Sequence, residues 1–200
     1  MRGVLLAAVL LSFLGACDRP QPPISPIVAF KATDITGAPW GKDFKLTDHN
    51  GQTRSLADFR GKIVAVFFGY THCPDVCPTT LSDFALAMRE LGEDGKRVQV
   101  LFVTVDPERD TPDLLAKYVP SFNPGFLGLY TDPDSLAALA KDFKVVYQKN
   151  TTSGSKNYLI DHSAGTYVYD TAGRLRLLIP YGTGPKDIAQ DLKILLSAGS

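Results

Sequence analysis

The sequence predicts an α/β chain whose single domain is built on a mixed central sheet with helices on both faces. Two observations carry this. Strands buried on both sides alternate with amphipathic helices, which implies a parallel core. Late in the chain two strand-like segments meet across a short turn, which adds antiparallel strands. With 200 residues, 44% of them hydrophobic, the chain can bury one substantial core.

The chain opens with a segment that belongs to targeting rather than to the fold. Met1-Arg2 supplies a positive start, and Val4 to Leu14 is an apolar run broken only by Ser12. That run is about half the length a bilayer-spanning helix needs. Leu14-Gly15-Ala16-Cys17 follows and resembles a bacterial lipobox, which implies cleavage after residue 16 and a lipid on Cys17; the plainer reading is a secretory signal with an incidental cysteine. Asp18 resembles the inner-membrane retention signal of Gram-negative lipoproteins. The expected product is held by that lipid at the periplasmic face of the inner membrane. Pro20, Pro22, Pro23 and Pro26 make residues 17–28 an extended tether, so the folded domain is expected over 29–200.

Phe44 to Asp48 alternates like a strand, and Asn50-Gly51 offers the positive-φ positions of a tight turn, so an N-terminal hairpin is added to the sheet. Lys62 to Tyr70 contains Ile63, Val64, Ala65, Val66, Phe67 and Phe68 in a row, which suits a strand buried on both faces. Thr79 to Leu91 carries Leu81, Phe84, Ala85, Met88 and Leu91 at helical spacing, and Gly92 ends it. Val98 to Val105 is a second buried strand. Thr111-Pro112-Asp113 starts a helix, with threonine as cap and proline in the first turn. A further helix is expected over Pro133 to Phe143, a strand over Lys144 to Gln148, and a polar loop over Asn150 to Asn157. Ser163 to Asp170 and Arg174 to Pro180 pair across Thr171-Ala172-Gly173, and Pro185 to Ser197 closes the chain as a helix. This order is the layout of a thioredoxin-like sheet.

Lysine and arginine number 21, as do aspartate and glutamate. With the charge balanced and no charged block, nothing electrostatic favours nucleic acid or an acidic surface. A partner must be recognised by shape and local chemistry.

That chemistry centres on Phe67-Phe68-Gly69-Tyr70-Thr71-His72-Cys73-Pro74-Asp75-Val76-Cys77-Pro78, where the first buried strand ends and a helix begins. Three residues separate Cys73 from Cys77, so helical geometry puts them on one face. Unpaired N–H groups at a helix start favour thiolate over thiol. In an exported protein the two can form a disulfide, but so small a loop stabilises little. Two adjacent soft sulfurs suit Cu(I) and also Zn(II). The spacing alone leaves buried structural thiols, redox activity and metal binding all open.

The neighbouring motifs narrow the choice. Asp43 to Asp48, Gly61-Lys62, the whole stretch from Phe67 to Pro78, Val105-Asp106-Pro107-Glu108-Arg109-Asp110-Thr111-Pro112 and Asp161-His162-Ser163 occur in the order found in the Sco/SenC family. The chain resembles that family from about Ala29 to its end. The family comprises copper chaperones of cytochrome c oxidase assembly. The resemblance implies that Cys73 and Cys77 are the two thiolate ligands of copper and His162 the imidazole ligand. Such a three-coordinate set suits Cu(I) and, with a further oxygen donor, accepts Cu(II). The implied partners are an upstream copper donor and subunit II of cytochrome c oxidase. The alternative within the same residues is a thiol–disulfide oxidoreductase with Cys73 and Cys77 as its redox pair, keeping the cysteines of that subunit reduced. A peroxiredoxin-like peroxidase shares the fold but carries a different active-site signature.

The remaining polar residues are expected to play lesser parts. His72 is read as an exposed loop residue pointing away from the sulfurs, and His49, beside the turn, as solvated. Asp75 is read as a first-turn helix acid. Asp106, Arg109 and Asp110 follow the second buried strand, at the end where α/β proteins place their sites. They either orient the site loops and receive a partner, or form an internal ion pair in a strand-to-helix connection. Phe67, Phe68 and Tyr70 are read as core, with Tyr70 screening the sulfurs.

Overall fold

The computed structural model describes residues 29–150 and 158–198. The expected leader of residues 1–16, Cys17 with its expected tether, and all but Asn150 of the loop expected over Asn150 to Asn157 lie outside the described residues. Among the described residues no helix is long and apolar enough to cross a membrane.

The strands are β1 (Thr33–Asp34), β2 (Lys45–Asp48), β3 (Thr53–Ser55), β4 (Ile63–Gly69), β5 (Val98–Thr104), β6 (Leu127–Tyr130), β7 (Tyr147–Asn150), β8 (Leu159–His162), β9 (Thr166–Tyr169) and β10 (Leu175–Ile179). The helices are α1 (Val76–Glu90), α2 (Pro112–Tyr118), α3 (Pro133–Phe143) and α4 (Pro185–Ala198). Eight strands form one sheet in the order β1-β10-β9-β4-β5-β6-β2-β3, while β7 and β8 pair only with each other. β4, β5 and β6 run parallel; β9 on one flank and β2 on the other are antiparallel to them.

β4 and β5 are buried at every residue, because helices cover both sheet faces. Successive side chains of a strand point to opposite faces. Phe67 stacks on Phe102, which touches Tyr118 of α2, while Phe68 stacks on Phe143 of α3. The fold is thioredoxin-like, with the expected N-terminal hairpin as β2–β3. Its turn uses Gly51 at φ +80°, and the buried Asp48 carboxylate closes it by accepting from Asn50 N, Gln52 N and Arg54 Nε.

Four local readings change. β6, unforeseen in the sequence, slots between β5 and β2. A Cβ on its Gly128 would lie 3.0 Å from Leu115 and 3.2 Å from Val119, so those side chains pack closely on the bare backbone. β1 adds a two-residue edge to β10. α1 starts at Val76 rather than Thr79, because a first helical turn has no use for the N–H that Pro78 lacks. The strand expected over 144–148 is β7, shifted to Tyr147–Asn150, and it forms a hairpin with β8, where only a loop was expected before His162.

Candidate metal centre

β4 ends at Gly69, whose carbonyl accepts from Val105 N at 2.8 Å. The chain then turns through Tyr70 to Asp75 before α1 begins. Cys73 lies in this turn, half-buried, and Cys77 lies in the first helical turn, with no exposed surface. The N–H of Cys77 is one of the orphan donors of a helix start, and it donates to Cys73 Sγ at 3.4 Å. Asp75 sits one residue before the helix and makes no side-chain cap; its Oδ1 instead accepts from Thr79 Oγ1. The sulfur of Cys73 therefore serves where a carboxylate usually would.

Gly69 makes room for the second sulfur. A Cβ there would sit 2.8 Å from Cys77 Sγ, 2.8 Å from Phe102 and 2.9 Å from Phe67. His162, at the end of β8, closes the group with Nε2 3.4 Å from Cys77 Sγ. Its Nδ1 lies 3.0 Å from the Ser163 carbonyl oxygen, which can only accept, so the ring proton sits on Nδ1 and the Nε2 lone pair faces the sulfurs. The imidazole meets the edges of Phe67 and Tyr70 at ring separations of 6.0 and 5.9 Å. Tyr70 also holds β8 directly, since its hydroxyl accepts from Ile160 N at 3.1 Å.

The donor atoms of Cys73, Cys77 and His162 all lie within 4.8 Å of one another. Bonds of about 2.3 Å to sulfur and about 2.0 Å to nitrogen place ligands roughly 3.7 Å apart around a trigonal ion, and roughly 4.6 Å apart across a near-linear pair of sulfurs. The three residues thus fit a soft metal ion with small adjustments, the Cys77 Sγ to His162 Nε2 separation opening slightly from 3.4 Å and the others starting from no more than 4.8 Å. The Cys73 thiol is pulled down to about 5, first by the Cys77 S–H donating to it, against the cost of burial, with help from the N–H groups of Asp75 and Cys77. Cys77 is pushed up, as the donor to that thiolate and by its burial. These opposite shifts favour thiolate on Cys73 and thiol on Cys77, a nucleophile beside a proton donor.

The Asp106–Asp110 segment reaches both sides of this centre. Buried Asp110 accepts from Thr71 N at 3.0 Å, Thr71 Oγ1 at 2.6 Å and Thr104 Oγ1 at 2.6 Å, anchoring the loop that bears Cys73. Buried Asp106 pairs with Arg109 and accepts from the Tyr158 hydroxyl at 2.6 Å. The ion pair and the Thr111 cap are both present, and they sit against the loops of the site.

His72 is exposed, with Nδ1 3.0 Å from Thr71 Oγ1 and 3.8 Å from Asp110 Oδ1, outside the donor group. His49 departs from its reading: it is half-buried, with Nδ1 accepting from Gly128 N at 3.0 Å, and burial pushes its ring toward the neutral form. Its partner belongs to β6, so its place could not be read without that strand. Gly69 and Tyr158 were also missed; an aromatic opening the apolar Tyr158-Leu159-Ile160 run was the available signal for the latter.

The family model described as SCO1/SenC matches residues 32–197. A mitochondrial SCO2 homolog of Bos taurus is 42% identical over 133 residues, 66% of this chain and 50% of that protein. The chain therefore spans about half the length of this curated relative. Among solved structures, copper-bound ScoI of Bradyrhizobium japonicum is similar at 40% identity and a TM-score of 0.70, covering 77% of this chain and 98% of that one. Apo Sco1 of Thermus thermophilus is similar at 40% identity and a TM-score of 0.75, covering 86% and 100%.

Proposed function

This chain belongs to the SCO1/SenC family, and we propose that it is a copper metallochaperone that holds its cargo between Cys73, Cys77 and His162 and passes it to the binuclear copper site of cytochrome c oxidase subunit II. The observation that carries the reading is the His162 lone pair aimed at Cys77 Sγ from 3.4 Å. Thiol–disulfide exchange needs two sulfurs and has no use for that nitrogen; a copper site does. The copper held by the similar ScoI of Bradyrhizobium japonicum supports the same reading.

Cys73 carries the charge that attracts the ion, and Cys77 gives up its proton on binding. His162 supplies a neutral third donor. Cys73 is the more exposed sulfur, so an incoming ligand of the acceptor displaces the cargo from that side first. An upstream donor loads the site. Residues 1–16 are the cleaved leader, the lipid on Cys17 holds the protein at the periplasmic face of the inner membrane, and residues 17–28 give the domain its reach.

A second reading has its own observation, the low pKa of Cys73 beside a protonated Cys77. As an oxidoreductase, the Cys73 thiolate attacks a disulfide of the same subunit, and one substrate sulfur leaves as thiolate. Cys77 then attacks the mixed disulfide, leaving the substrate dithiol and a Cys73–Cys77 disulfide. Copper competition with a Cu(I) chelator separates the two. Delivery predicts one tightly held Cu(I) and a large loss in His162→Ala; unchanged affinity in that variant, with disulfide reduction intact, favours exchange.

A further inference from the structure

The hairpin that carries His162 stands outside the main sheet, and its strands pair only with each other. Its position against the sulfurs is therefore set by side chains. One attachment is the Tyr70 hydroxyl under Ile160. A second is the burial of the Ile160 side chain in the core, and a third is a closed triangle at the start of β8. The guanidinium of Arg109 lies 3.5 Å over the centre of the Tyr158 ring. Its Nη1 donates to the Tyr158 carbonyl at 3.0 Å, and its Nε donates to Asp106 Oδ2. The Tyr158 hydroxyl donates back to Asp106 Oδ1 at 2.6 Å. Outside it, Lys149 of β7 pairs with Glu108 at 2.6 Å and lies 5.0 Å from the same ring.

This triangle is kept at a cost. Asp106 is fully buried, and Arg109 Nη2 is buried without a hydrogen-bond partner among the described residues, a penalty that native structures avoid unless something offsets it. What the triangle secures is Tyr158, four residues before His162, a span of about 13 Å along an extended strand.

We propose that Arg109 and Tyr158 are positioning residues for His162, fixing β8 so that Nε2 meets the sulfurs and thereby setting how strongly the site holds Cu(II) relative to Cu(I). The inference rests on the copper reading. Losing the imidazole weakens Cu(I), which keeps its two soft thiolates, whereas Cu(II) depends on nitrogen and oxygen donors, so a loosened imidazole costs Cu(II) more still.

The test is a double-mutant cycle on the purified, reduced 29–200 chain as well as the full chain, titrated with Cu(II) and with chelator-buffered Cu(I). Tyr158→Ala is expected to weaken Cu(II) about 10–100-fold, the usual cost of losing an outer-shell partner, with a smaller loss for Cu(I). Its sulfur-to-Cu(II) absorption band should move toward that of His162→Ala. Tyr158→Phe keeps the ring under the guanidinium and should recover most of the affinity. In the His162→Ala background, Tyr158→Ala should add nothing. Wild-type affinity and spectrum in Tyr158→Ala, or an equal loss with and without His162, overturn the proposal while leaving the copper reading intact. Indifference of the wild-type protein to His162→Ala overturns both. Should Tyr158→Ala not fold, Arg109→Lys carries the same test, because lysine keeps the charge but cannot lie flat on the ring while bonding both Asp106 and the Tyr158 carbonyl.

Discussion

Cys77 Sγ and His162 Nε2 lie 3.4 Å apart although 85 residues separate them in the chain. Each is held from behind, Cys77 by its place in the first turn of α1 and His162 by the Ser163 carbonyl and the rings of Phe67 and Tyr70. The protein's own contacts thus help gather the donors, which lowers the ordering cost of binding.

Gly69→Ala should damage the centre without touching a ligand. The added methyl would press on Cys77 Sγ and Phe102, both at 2.8 Å, and both are fixed in the core. Overpacking of this kind costs about 1–3 kcal/mol, measurable by urea unfolding of the reduced apo protein. Cu(I) affinity should fall in parallel, because Cys77 must shift.

Reactivity of the reduced pair should be uneven and pH-dependent. Iodoacetamide should label Cys73 first, with a rate that is flat at neutral pH and falls below about 5, while buried Cys77 lags. Cys77→Ala removes the main donor to the thiolate, so the Cys73 profile should move up toward an ordinary thiol. The same shift links to stability. Between pH 5 and the ordinary thiol value of 9.0, the unfolded chain keeps a proton that folded Cys73 has released. Stability of the reduced protein from this source therefore rises with pH across that window. Above it the sign reverses, because folded Cys77 keeps a proton that the unfolded thiol loses.

Asp110→Asn should loosen the Cys73 loop. The carboxylate accepts three hydrogen bonds from Thr71 and Thr104, and an amide would set an N–H against one of those donors. A buried mismatch costs about 1–3 kcal/mol, expected as a lower urea midpoint with an unchanged slope.

Copper loading should raise the melting temperature in a way that a chelator reverses. Free metal at 100 times its Kd adds about 2.7 kcal/mol to a state that alone binds it. The Cys73→Ser, Cys77→Ser double variant should show no such rise.

Much of this architecture could be read from the chain, and the failures share a cause. β4 and β5 were legible because every residue suits burial on two faces. α3 was legible because it starts at Pro133, where Asp132 caps it by accepting from Ser135 N. β6 and β8 were missed because Leu127-Gly128-Leu129-Tyr130 and Leu159-Ile160-Asp161-His162 show neither clear polar alternation nor a long apolar run; neighbouring strands and side chains determine them. The misreading of His49 follows from missing β6. At the site, the spacing of Cys73 and Cys77 supports several chemistries, and His162 was singled out only by the resemblance of Asp161-His162-Ser163. Gly69 carried no local signal and Tyr158 only that of an aromatic opening an apolar run, because their roles arise from contacts with Cys77 and Asp106 that exist only once the sheet is assembled.

The most direct test of the centre is X-ray absorption at the copper edge of the Cu(I)-loaded protein. The account predicts two sulfur scatterers near 2.3 Å and one nitrogen near 2.0 Å, with the nitrogen lost in His162→Ala. A wild-type spectrum showing sulfur alone, unchanged by that substitution, would contradict it.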